Sequence, residues 1–110
     1  MVTPLPGRRV RGSATGRPIM AVLDLLGRRW ALRVLGELYA GPATFRRLQS
    51  RCDAVSPSVL NRRLRELRDA GVVEHADTGY GLTVSGKALL RAFEPLNHWS
   101  KRWGSRMTAR

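Results

Sequence analysis

The chain has 110 residues, 43% of them hydrophobic, and a formal net charge of +12 carried by 18 Arg and 2 Lys against 8 acids. That length makes one small domain, with a core small enough that a partner subunit adds materially to stability. A single cysteine, Cys52, excludes an intrachain disulfide framework and fits a reducing compartment, and no run approaches the roughly 20 apolar residues of a membrane span. The Arg excess suits nucleic acid, because a guanidinium makes forked contacts with phosphate and guanine.

Residues 1–17 hold four Arg, no acid, three Gly and two Pro. This composition predicts a flexible basic arm, able to reach phosphate or the minor groove. No apolar stretch follows its arginines, as one would in a secretory signal, and the expected location is the cytoplasm, on the nucleoid. From residue 18 to the end, a single domain is expected. Pro18 suits the first position of a helix. Ile19, Val22, Leu23 and Leu26 give that helix an apolar face, and Gly27 ends it. A second helix is expected from about Arg29 to Tyr39, stopped by Gly41-Pro42, with Trp30 as a core or helix-packing residue.

Thr44 reads as the N-cap of a short third helix in which Phe45 and Leu48 face inward. A turn is expected over about 51–55, after which Ser56-Pro57 supplies the cap and first residue of a fourth helix that stops at Gly71. Val72 to Ala76 and Tyr80 to Thr83 read as two short strands around an Asp77-Thr78-Gly79 turn. Thr83 would cap a last helix running to about Trp103, with Pro95 as a place for a bend. The fold class is therefore mostly α with a small β-hairpin: a helix-turn-helix with a wing.

In the fourth helix, Leu60, Leu64 and Leu67 fall on one stripe at 100° per residue, and Ser58, Arg62, Arg65 and Asp69 fall opposite, with Asn61 and Arg68 on a flank. The N-terminal part of such a helix meets base edges in the major groove. Asn pairs well with adenine and Arg with guanine, so Asn61 and Arg62 are assigned to base reading. Ser58 and Arg65 can touch base or phosphate. Ser56 and the first-turn N–H groups can hold a phosphate. Thr44, Arg46 and Arg47 on the preceding helix are phosphate candidates. Arg63, nearer the apolar edge, can anchor the DNA backbone or pair internally. The wing tip carries no strong cation, so a minor role is expected there, at most a contact near Thr78.

The last helix carries Leu89, Phe93, Leu96, Trp99 and Trp103 at offsets that form a seam. This is more aromatic surface than one short domain easily covers. Together with Ile19, Leu23 and Leu26, it is expected to form a homodimer interface between N- and C-terminal helices. Two-fold symmetry then sets the recognition helices about 34 Å apart, and the site is an inverted repeat.

The segments LDLLGRRWALRVLGELYAGPATFRRLQ, VSPSVLNRRLRELRDAGVVEH, YGLTVSGKALL and HWSKRW, over about residues 17–103, resemble the HxlR-type, MarR-like winged helix-turn-helix transcriptional regulators. The patterns L-G-x-x-W, S-P-x-x-L-x-x-R-L-x-E-L, G-[VL]-V and Y-x-L-T-x-x-G occur in order. The resemblance implies a bacterial or archaeal regulator, repressor or activator, that binds palindromic DNA as a homodimer through a recognition helix spanning Ser56 to Leu67. Many members carry a redox-sensing cysteine just before the first helix, followed by Pro. Here Arg17 stands before Pro18, which excludes thiol sensing at that place. Cys52, beside Arg51, lies instead in the helix-turn-helix turn, where an inert thiol is the simpler reading.

No cofactor or metal is expected, and no enzyme. The two histidines, His75 and His98, lie far apart, and no paired carboxylates or Gly-rich phosphate loop appear. The partners expected are double-stranded DNA and a second copy of the chain. A small-molecule effector is left open, with Trp30, Phe93 and Trp99 as the lining to look for. A non-specific, nucleoid-type nucleic-acid-binding protein is the alternative, and would show a steep salt dependence with little sequence preference.

Overall fold

The computed structural model describes residues 3–8 and 16–109. Among the described residues, six helices and a two-stranded hairpin follow one another as α1 (Pro18–Gly27), α2 (Ala31–Tyr39), α3 (Phe45–Arg51), α4 (Pro57–Asp69), β1 (Val73–Ala76), β2 (Gly79–Leu82), α5 (Val84–Ala92) and α6 (Glu94–Thr108). The core gathers Leu25 and Leu26 of α1, Val34, Leu35 and Leu38 of α2, Leu48 and Cys52 around α3, and Leu60, Leu64 and Leu67 of α4. The leucine stripe read from α4 is thus the stripe that is buried.

Local chemistry sets the boundaries. The Thr44 hydroxyl accepts the Arg47 N–H at 3.2 Å, and the Ser56 hydroxyl accepts the Val59 N–H at 3.3 Å. Each cap satisfies an otherwise orphaned helix-start donor. Thr83 accepts the Gly86 N–H at 3.0 Å and donates to the Gly71 carbonyl at 2.7 Å, which ties the start of α5 to the end of α4.

The last helix ends at Thr108 and not near Trp103, and four further features differ from the sequence expectation. First, α2 starts at Ala31 and not at Arg29, because Trp30 takes a left-handed conformation, φ 75°, and breaks the helical run. A non-glycine residue there costs about 1–3 kcal/mol, so its surroundings must hold it. Second, the wing turn contains two residues, Asp77-Thr78, since Gly79 already pairs with Ala76. Third, Ala43 exchanges both backbone hydrogen bonds with Tyr80, at 2.9 and 2.8 Å, and so extends the hairpin by a third, one-residue rung. Fourth, the single last helix is two. The break falls at Phe93, and Pro95, which lacks an N–H, occupies the first turn of α6.

Thr3–Leu5, expected within a flexible arm, is packed instead, and Pro6, Gly7 and Arg8 are exposed. Pro4 is buried, Thr3 donates to Asp69 at 3.0 Å, and Pro4 to Pro6 line one side of a cavity of about 200 Å³ shared with Ala21, Val22, Leu25, Val72 and Leu89. Pro4 and Pro6 fix two φ angles of this stretch, and a turn closed by the Arg8 N–H on the Leu5 carbonyl, 3.3 Å, follows, so docking it loses less chain entropy than a freer segment would. Arg9 and Arg11 of the expected arm lie outside the described residues.

Candidate nucleic-acid interface

The α3–turn–α4 unit positions the site. Asp53 and Ala54 both take left-handed conformations, φ 54° and 57°, which reverse the chain in the space of two residues. The turn is sealed by hydrogen bonds from the Gln49 amide to the Val55 carbonyl, 3.0 Å, and from Arg33 to the Arg51 carbonyl, 2.7 Å. Arg33 also faces Asp53 at 3.4 Å. The buried leucines fix the rotation of α4 about its axis, and the opposite face is left to solvent.

That face carries Ser58, Asn61, Arg62, Arg65 and Arg68, all exposed, with Asp69 at its end. Arg46 and Arg47 on α3 and the caps Thr44 and Ser56 are exposed beside it. Of the two acids of α4, Glu66 is buried and ion-paired elsewhere, so that only Asp69, at the C-terminal end, offsets these arginines. The outward face is therefore strongly cationic, with hydroxyl and amide donors at its N-terminal end, which suits a phosphate-lined groove.

Arg63 does not join that face. Its Nε donates to the Arg29 carbonyl at 2.7 Å, and its Nη1 lies 2.9 Å from Glu66 Oε1. Of the two roles its position at the apolar edge allowed, internal pairing is the one found. Glu66 also pairs with Arg28, which itself faces Asp24 at 3.7 Å. Sequence reasoning missed this cluster. The Arg63/Glu66 spacing of three residues is a legible helix pair, but nothing in the pattern shows that Arg28 reaches it from 38 residues away.

The wing offers little cation. Glu74, His75, Asp77 and Thr78 are exposed, and His75 stacks on Tyr80 at 4.1 Å. Cys52 is buried, and burial pushes its thiol above the ordinary value of 9.0; Arg33 opposes this, and Glu37 and Asp53 add to it. The proximity of Arg51 does not outweigh desolvation.

The residues expected at a dimer face divide. Ile19, Leu23, Leu96, Trp99 and Trp103 are exposed, with Leu96 at 55% and both tryptophans at 48%. Leu89 and Phe93 are half-buried against the core. Leu26 is a correction: it shares a helical face with Ile19 and Leu23, but at 6% exposure it belongs to the core of its own chain, because it lies in the last turn of α1, next to the bend into α2. The expected effector lining also divides. Phe93 lines an open groove of about 470 Å³ with Leu32, Tyr39, Leu90, Leu96 and Asn97. Trp30 packs on the core, and Trp99 lines a separate surface with Arg102, Ser105 and Arg106.

Three helices around a capped turn, a cationic second helix and a hairpin beside it define a winged helix-turn-helix DNA-binding protein. The chain belongs to the family of the HVO_A0261 N-terminal domain, whose model matches residues 20–102, and is of the HxlR type of winged helix-turn-helix transcriptional regulators. It is 30% identical over 88 residues to YvaP, an uncharacterized HTH-type transcriptional regulator of Bacillus subtilis strain 168, covering 74% of this chain and 82% of YvaP. The quinone-bound structure of YodB from B. subtilis superposes with a TM-score of 0.72 at 30% identity, over 76% of this chain and 96% of YodB. A possible HxlR family transcriptional factor from Thermoplasma volcanium GSS1 superposes with a TM-score of 0.67 at 28% identity, over 79% of this chain and 84% of that one. Among the described residues no helix is long and apolar enough to cross a membrane.

Proposed function

We propose that the chain regulates transcription as a homodimer on an inverted-repeat operator in the cytoplasm. The observation that carries this reading is α6. It contributes no buried residue to its own chain, yet its Leu96, Trp99, Trp103 and Met107 form an exposed apolar stripe. An isolated helix of 15 residues is marginal in water, so a second copy is the natural cover, with Ile19 and Leu23 of α1 beside it.

In this reading, Asn61 and Arg62 contact base edges, Ser58 and Arg65 contact base or phosphate, and Thr44, Arg46, Arg47 and Ser56 hold phosphates on either side. Thr78 adds at most a contact at the groove edge. Arg63 is withdrawn from the DNA-contacting set because both of its recorded contacts are internal. Half-site centres are expected about ten base pairs apart.

Sedimentation of the protein with a duplex carrying one inverted repeat tests this. Two chains per duplex, formed from a dimer that exists before DNA is added, are expected. A monomer that coats duplexes of any sequence at a density set only by salt would favour the non-specific reading instead.

A further inference from the structure

Four charged side chains meet behind the recognition helix, away from its DNA-facing side. Asp24 and Arg28 come from the end of α1, and Arg63 and Glu66 come from α4. Their side chains are 5, 7, 12 and 4% exposed. The set is formally neutral, two acids with two arginines. Glu66 is held from both sides, by Arg28 through one carboxylate oxygen and by Arg63 through the other. Arg63 reaches further, to the Arg29 carbonyl at 2.7 Å. That carbonyl immediately precedes Trp30, the left-handed residue that turns α1 into α2.

Hydrophobic contacts are non-directional, so the leucine stripe alone leaves α4 some freedom to slide and tilt. A hydrogen-bonded ion cluster is directional, and its loss of hydration means that it contributes little net stability compared with an apolar replacement. What such a cluster supplies is a unique arrangement. Here it joins the helix that exposes Ile19 and Leu23 to the helix that carries Asn61 and Arg62.

We infer that Asp24, Arg28, Arg63 and Glu66 are positioning residues that fix the angle between α1 and the recognition helix and thereby select the half-site spacing of the operator. The inference rests on the dimer reading above. In a two-fold dimer held through α1 and α6, any tilt of α4 against α1 is doubled between the two recognition helices. One base pair of added spacing also rotates a half-site by about a tenth of a turn. A fixed α1–α4 angle therefore accepts one spacing and rejects its neighbours.

The test is binding to inverted repeats whose half-site spacing is varied one base pair at a time, with dimerisation and melting measured on the same samples. The double variant Arg28→Met with Glu66→Leu replaces the pair by apolar side chains. Arg63→Met is the second variant, which keeps the Arg28–Glu66 pair and leaves the cluster with two acids against Arg28. Wild-type protein is expected to prefer one spacing by about tenfold or more. In both variants that preference is expected to shrink to about twofold, while affinity for an isolated half-site and the dimer constant stay within about twofold of wild type. A folded, dimeric variant that keeps the wild-type spacing preference overturns the positioning role and leaves the dimer reading intact. A dimeric wild-type protein that binds every spacing equally overturns the positioning role alone, and a monomeric wild-type protein overturns both.

Discussion

Gly86, in the first turn of α5, lies so close to Val72 that a Cβ on it would stand 2.1 Å from the Val72 carbonyl oxygen. The same oxygen accepts the Thr83 N–H at 3.1 Å. The corner where the wing returns to the helices is therefore closed by backbone against backbone, and only glycine fits. Gly86→Ala is expected to destabilise the fold by about 3 kcal/mol through overpacking. Gly36, on the exposed side of α2, where a Cβ would meet nothing within 4 Å, should behave in the opposite way. Gly36→Ala is expected to stabilise by about 0.4–1 kcal/mol. Urea unfolding of the two variants reads both signs; equal effects would contradict the packing described.

On the interface, Arg62→Ala is expected to weaken operator binding by about 1–3 kcal/mol and to relax preference at one base pair. Arg46→Ala is expected to weaken all sequences alike and to lower the salt dependence by about one unit of slope. Fluorescence anisotropy against single-position operator variants, at two or more salt concentrations, separates them. An Arg62→Ala protein with unchanged specificity would remove that residue from base reading.

Cys52 yields a pH prediction. Burial raises its thiol above 9.0 in the folded chain, so folding disfavours the thiolate. The group's contribution to stability is complete below pH 9 and is lost as pH rises from there through the raised folded value. Above pH 9 the unfolding midpoint should fall further in wild type than in Cys52→Ala. The same burial predicts that the native protein resists alkylation at neutral pH and reacts once unfolded. Rapid alkylation of the native protein would contradict this.

Trp99 and Trp103 stack with ring centroids 5.8 Å apart on the exposed stripe of α6. Large aromatics at the centre of an interface carry a disproportionate share of its energy. Trp99→Ala is expected to raise the dimer Kd by about thirtyfold, or about 2 kcal/mol. Sedimentation velocity over a dilution series measures it, and a variant as dimeric as wild type would move the interface elsewhere.

How far the sequence revealed this molecule depends on how local the cause of each feature is. Thr44, Ser56-Pro57 and the Leu60/Leu64/Leu67 stripe act within one helix, and they located α3, the turn and α4 correctly. The exposed face of α4 followed from the same periodicity. The features that escaped have distant causes. Trp30 takes its left-handed turn in a setting that includes a guanidinium donated from α4 to the preceding carbonyl, and no propensity scale favours Trp there. The Ala43–Tyr80 rung joins residues 37 apart, too short a pairing to leave an alternating pattern. Leu26 and Leu23 look alike in a helical projection, but only the packing of α1 on α2 tells that one is core and the other exposed. Glu66 reads as an ordinary surface acid because its partner Arg28 belongs to another helix.

Selection of bound sequences from random double-stranded DNA at physiological salt separates a specific dimeric regulator from a non-specific binder. Enrichment of an inverted repeat, with half-site centres about ten base pairs apart, is the result expected of a dimer reading DNA through Asn61 and Arg62. Tight, salt-sensitive binding with no enriched sequence would contradict it.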